Sequence, residues 1–97
     1  MTNLQLSAAK QLEVAANLER LWAGLFTGHA LPSKRQFLTW ASTSNESTLV
    51  YAFNRASRKA SRESMDADQI GRYISGIARN EREGRHVFPA KENHIDA

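Results

Sequence analysis

The chain has 97 residues, 41% hydrophobic and 24% charged, a size that gives one domain with one modest core and a composition that argues against wholesale disorder. The absence of cysteine excludes disulfides, a thiolate nucleophile and any cysteine metal site, and fits a reducing compartment. The net charge of +3 is mild, but a pI near 9.7 makes polyanions the first partners to consider.

The opening MTNLQLSAAKQLEVAA places no basic segment before a continuous apolar run, and no apolar stretch approaches the ~20 residues needed to cross a bilayer. A soluble, cytoplasmic protein with no membrane attachment is expected.

The first helix is expected from Ser7 to Phe26. Ser7 is a suitable N-cap, alanine and leucine supply helix propensity, and Gly28 is a natural stop. Val14, Leu18, Leu21 and Leu25 form a core stripe that Trp22 and Phe26 widen, so this helix is expected to be the spine of the fold. Leu12, Ala15 and Ala16 either extend its apolar surface beyond one core, which favours a homodimer, or face a neighbouring helix.

Pro32 followed by Ser33 reads as an extended dipeptide and then an N-cap. The second helix is expected over Lys34 to about Ser42, burying Phe37, Trp40 and Ala41, until the hydroxyls and amide of STSN compete for its backbone. Ser44 or Asn45 then caps a third helix that runs to Arg62, with Leu49, Phe53, Ala56 and Ala60 on one apolar stripe. Asp66 is the expected cap of a fourth helix, Ala67 to Glu83, whose Ile70, Tyr73, Ile74 and Ile77 point inward before Gly84 stops it. Within it, Gly71 and Gly76 each cost about 1 kcal/mol relative to alanine. Close helix crossing is the first explanation expected for them, and approach of a partner backbone the second.

These elements predict an all-α fold, a compact bundle of four helices. The short second helix, tight turn and longer third helix are helix-turn-helix-like in outline. Residues 1–85 are expected to form the single helical domain, and the aperiodic residues 86–97, with Pro89, a flexible tail.

Signs of catalysis are few. His29, His86 and His94 lack the spacing that puts two metal ligands on one helix face. Asp66 and Asp68 are better explained by the positive end of a helix dipole. No Gly-rich phosphate loop or nucleophile elbow is present. The expectation is a non-catalytic protein with no metal and no cofactor.

The positive charge is unevenly placed. Residues 1–33 sum to zero, whereas residues 34–85 hold ten cations against six acids. Four of the ten, Arg55, Arg58, Lys59 and Arg62, share one stripe of the third helix at i, i+3, i+4, i+7. On a helical wheel Tyr51 falls among these cations and Thr48 near Lys59. Guanidinium forks suit phosphate oxygens, and an aromatic ring can stack on a base. Lys34 and Arg35 open the second helix, and Arg72 and Arg79 lie on the outer side of the fourth. Arg82 and Arg85 lie near the end of the fourth, and the ten cations could merge into one surface. On it the four of the third helix, with Tyr51, Thr48, Lys34, Arg35, Arg72 and Arg79, are the ten candidate nucleic-acid-binding residues. A solvated face, or a protein-interaction adaptor or inhibitor docking an acidic partner surface, is the alternative.

Residues 37–80 add a resemblance. Phe37 and Trp40, an alanine-spaced helix through Ala52 and Ala56, and then RYISGIARN resemble the C-terminal domain of the DnaD family of primosomal and phage replication proteins. In that family a helix of the form Y-I-x-G-I-x-x-N closes a small all-α domain, matched here by Tyr73, Ile74, Gly76, Ile77 and Asn80. The family motif usually continues with a tryptophan associated with DNA binding, where this chain has Glu81. The resemblance implies a DNA-associated, self-associating helical module from a replication or mobile-element setting, with DNA favoured over RNA as the partner.

Overall fold

The computed structural model describes residues 7–84, which form four α-helices: α1 (Ala8–Leu25), α2 (Lys34–Thr43), α3 (Glu46–Arg62) and α4 (Ala67–Arg82). The expected tail, with His86, His94 and Pro89, lies outside the described residues, as does Arg85.

Three of the helix starts are capped as the sequence predicts. The Ser7 hydroxyl accepts from the Lys10 amide, and the Ser33 hydroxyl from the Gln36 amide, both at 3.1 Å. Asp66 and Gln69 form a capping box, each side chain accepting from the other's backbone N–H, at 2.8 and 2.9 Å. Asn45 occupies the N-cap position of α3, but its side chain makes no capping bond. Glu46 in the first turn of α3 favours the helix dipole there, and Lys59 and Arg62 do so in the last. Gly28 and Gly84 follow α1 and α4 with φ of +89° and +86°, a conformation that side chains with a Cβ resist.

α1 packs against both α2 and α3, and α3 packs against α4. α1 is therefore the spine for the first three helices, while α4 is anchored mainly through α3. Trp22, fully buried, sits at the centre: its ring centroid lies 4.5 Å from Phe26, 6.5 Å from Phe37 and 6.1 Å from Phe53. The edge-on contacts to Phe37 and Phe53 use the aromatic quadrupole as well as area burial. Trp40 meets Phe53 at 5.4 Å, so the tightly joined middle pair α2 and α3 share an aromatic contact beyond their turn. Leu49, Ala52, Phe53 and Ala56 from α3 and Ile70, Ile74 and Ala78 from α4 complete the core. Leu21, Leu25, Tyr73 and Ile77, placed on core stripes by periodicity, are half-buried at its margin.

His29 fastens the two ends of the molecule's connections together. Its Nε2 lies 2.9 Å from the Met65 carbonyl oxygen, which only accepts, so Nε2 carries the proton. This bond ties the α1–α2 connector to the α3–α4 joint. Among the described residues no helix is long and apolar enough to cross a membrane.

The glycines of α4 depart from expectation. A Cβ built at Gly71 or Gly76 meets nothing within 4 Å, so neither glycine serves a close helix crossing. The reason is topological: α4 packs mainly on α3, and among the described residues no neighbour lies closely over either glycine, although the two point about 140° apart around the helix.

Candidate nucleic-acid interface

Four of the predicted cations converge. Arg55, Arg58, Lys59 and Arg62 of α3 line a concavity of about 260 Å³ together with Tyr73 of α4. The helical repeat puts the four on one stripe, and the packing of α4 beside α3 supplies the fifth wall. Among the described residues no acidic side chain lines it.

Arg55 is the fixed point of this site. It is half-buried, donating Nε to the Tyr73 hydroxyl at 3.1 Å and Nη1 to the Tyr51 hydroxyl at 2.9 Å. The Tyr73 bond first, and then the Tyr51 bond, push the guanidinium pKa further above its already high ordinary value, against a smaller opposing effect of burial. Lys59 sits with its ammonium 5.6 Å from the Tyr73 ring centroid and 3.0 Å from a Glu63 carboxylate oxygen. The ring contact is a weak cation–π attraction, and the exposed ion pair is screened by solvent. Arg58 and Arg62 are exposed, and among the described residues neither guanidinium has a hydrogen-bond or ion-pair partner. The site thus combines one clamped cation, one shared cation and two that extend into solvent.

The remaining sequence-predicted residues are placed otherwise. Thr48 is fully buried, and among the described residues its hydroxyl has no hydrogen-bond partner, so it belongs to the core and not to a binding face. It lies four residues before Ala52 and eight before Ala56, on the edge of the apolar stripe that α3 turns inward. Tyr51 does have a packing role, as the second acceptor for Arg55. Lys34 is exposed and pairs with Glu19 of α1 at 3.4 Å. Arg72 pairs with Asp68 one turn before it on α4. Arg35 is exposed at the start of α2 and does not line the concavity. Glu46, which would oppose phosphates at the start of α3, instead accepts a 3.3 Å bond from the Asn17 side-chain amide of α1.

Arg72 and Arg79 face a different feature, a groove of about 580 Å³ between α4 and the segment leading into α2. Pro32, Trp40, Gly71 and Ser75 line it, beside an exposed Leu31. The Trp40 indole donates to the Ser75 hydroxyl at 3.0 Å and ties α2 to α4 there. The ten candidates therefore do not form one face. Four make the concavity, two line the groove, and the rest are buried, clamping or elsewhere on the surface.

Tyr73 is the site residue that periodicity assigned to the core. Its ring does lie at the core margin, and the polar tip of an amphipathic aromatic reaches out to Arg55. Among the described residues no three His, Asp or Glu side chains gather where they could hold a metal ion.

Comparison with known proteins found no matching family model, no matching curated protein and no matching solved structure.

Proposed function

We propose that this protein is a small, non-catalytic nucleic-acid-binding module that holds phosphate groups in the α3–α4 concavity. The observation that carries this reading is the convergence of Arg55, Arg58, Lys59 and Arg62 with Tyr73 around a space that, among the described residues, no carboxylate lines. Clamping Arg55 between two phenol oxygens fixes one charge in advance, which lowers the ordering cost of binding. Arg58 and Arg62 offer planar forks matched to phosphate oxygens. The reading favours backbone contact over base readout, because Thr48 is buried and Glu46 is held by α1.

DNA in a replication or mobile-element setting, action as a dimer and a cytoplasmic location are parts of the same proposal. They rest on the resemblance of Tyr73, Ile74, Gly76, Ile77 and Asn80 to the DnaD-family motif, on the apolar surface of α1 where Leu12 is 59% exposed, and on the absence of cysteine.

The test is fluorescence anisotropy with labelled single- and double-stranded DNA and RNA at two salt concentrations. With at most four cations engaged, affinity for duplex is expected to fall on the order of 10²-fold between about 50 and 200 mM salt. Absence of binding to every polymer at low salt overturns the proposal and leaves the stripe as a docking surface for an acidic protein.

A further inference from the structure

The concavity is bounded, and its boundaries say what kind of phosphate it suits. On this ground we infer that it seats a terminal phosphate, a phosphomonoester at the end of a nucleic-acid strand, in preference to internal phosphodiesters; this rests on the nucleic-acid reading above.

The first observation is extent. The stripe from Arg55 to Arg62 rises only about 10 Å along α3, little more than one phosphate group and its neighbours. The other candidate cations do not prolong it into a track. Lys34 is paired with Glu19, Arg72 with Asp68, and Arg79 lines the separate α2–α4 groove.

The second is closure. At one end the Tyr51 and Tyr73 hydroxyls hold Arg55, presenting neutral phenols where a continuing strand would need another cation. At the other end α3 stops, and its C-cap residue Glu63 brings a carboxylate to within 3.0 Å of Lys59. A strand running on past the end of α3 would meet that carboxylate, and a strand that ends in the concavity would compete with it only for Lys59.

The third is charge. An internal phosphodiester carries a single negative charge. A phosphomonoester carries about −1.5 to −2 at pH 7 and presents three acceptor oxygens. Three cations around about 260 Å³, two of them exposed guanidinium forks, with Lys59 as a fourth that Glu63 shares, match the larger charge and the larger number of acceptors.

The experiment compares one labelled single strand with a 5′-phosphate and the same strand with a 5′-hydroxyl, by anisotropy at low salt. It uses the full chain and its Arg62→Gln variant, with circular dichroism to show that both are equally folded. The phosphorylated strand is expected to bind about tenfold more tightly. Arg62→Gln is expected to erase most of that difference, and inorganic phosphate to compete the phosphorylated strand down toward the hydroxyl strand. Equal, salt-sensitive binding of both strands overturns the terminal-phosphate assignment while leaving the nucleic-acid reading standing. A preference for the phosphorylated strand that survives Arg62→Gln places the end elsewhere and overturns it too. No binding of either strand overturns both.

Discussion

Arg55 on α3 donates its Nε to the hydroxyl of Tyr73 on α4 at 3.1 Å, so the cation at the centre of the candidate site is also a fastening between two helices. Binding and stability therefore share this residue. Arg55 is the wrong position for a silent charge reversal, because its loss would leave the Tyr51 and Tyr73 hydroxyls without this donor at the α3–α4 contact.

Tyr73→Phe keeps the ring over the core margin and removes only the acceptor. It is expected to destabilise the fold by about 1 kcal/mol, a drop of roughly 4–8 °C in Tm for a domain of this size. Nucleic-acid binding is expected to weaken several-fold as Arg55 loses one of its two phenol partners. Thermal denaturation and anisotropy on the same preparation check both. The raised pKa of Arg55 adds no pH dependence in the working range. A folded-state pKa above an already very high value means that the stabilisation is present at low and neutral pH and fades only in strong alkali.

Gly71→Ala and Gly76→Ala are each expected to raise stability by about 0.5–1 kcal/mol, since a Cβ meets nothing at either position and alanine restricts the unfolded chain. Both glycines lie inside α4 with ordinary helical backbone. Urea denaturation midpoints measure the gain, and a loss of stability would show that these positions are closely packed after all.

Thr48→Val replaces a buried hydroxyl that has no partner with a methyl of nearly the same shape. The expected result is a gain of about 1 kcal/mol with unchanged nucleic-acid affinity. A loss of binding would return Thr48 to the interface.

The Trp40–Ser75 bond is the polar tie between α2 and α4 beside their groove. Trp40→Phe and Ser75→Ala, alone and combined, are expected to show a coupling of about 0.5–1.5 kcal/mol in a double-mutant cycle. Strict additivity would mean that the bond contributes nothing.

Much of this fold was legible in the sequence because its signals are local. Ser7, Ser33 and Asp66 cap within three residues of themselves, and a period of 3.6 finds Val14, Leu18, Trp22, Leu49, Phe53, Ile70 and Ile74 without tertiary knowledge. The site was half legible. One helix's spacing is enough to gather Arg55, Arg58, Lys59 and Arg62, but Tyr73 joins them only through the packing of α4 on α3. Thr48 was misplaced because a wheel fixes angles and not the width of the buried arc, and here that arc reaches one residue further than the apolar pattern marks. The pairing of Lys34 with Glu19 joins helices and cannot be read from spacing. That of Arg72 with Asp68 is an i, i+4 pair and could have been. The role expected of the two α4 glycines failed for a related reason. Sequence shows the helical glycine but not whether a neighbour lies over it.

Charge reversal at the two exposed guanidiniums separates a phosphate-binding concavity from a merely solvated helix face. Arg58→Glu with Arg62→Glu, compared with Arg35→Glu as a control outside the concavity, leaves the core and the Arg55 clamp untouched, so melting temperatures are expected to stay within a few degrees. Anisotropy at low salt is predicted to show affinity for nucleic acid reduced by at least about tenfold in the double variant, with the control changed by no more than a few-fold. Equal affinity in the double variant and the unaltered protein would contradict the account.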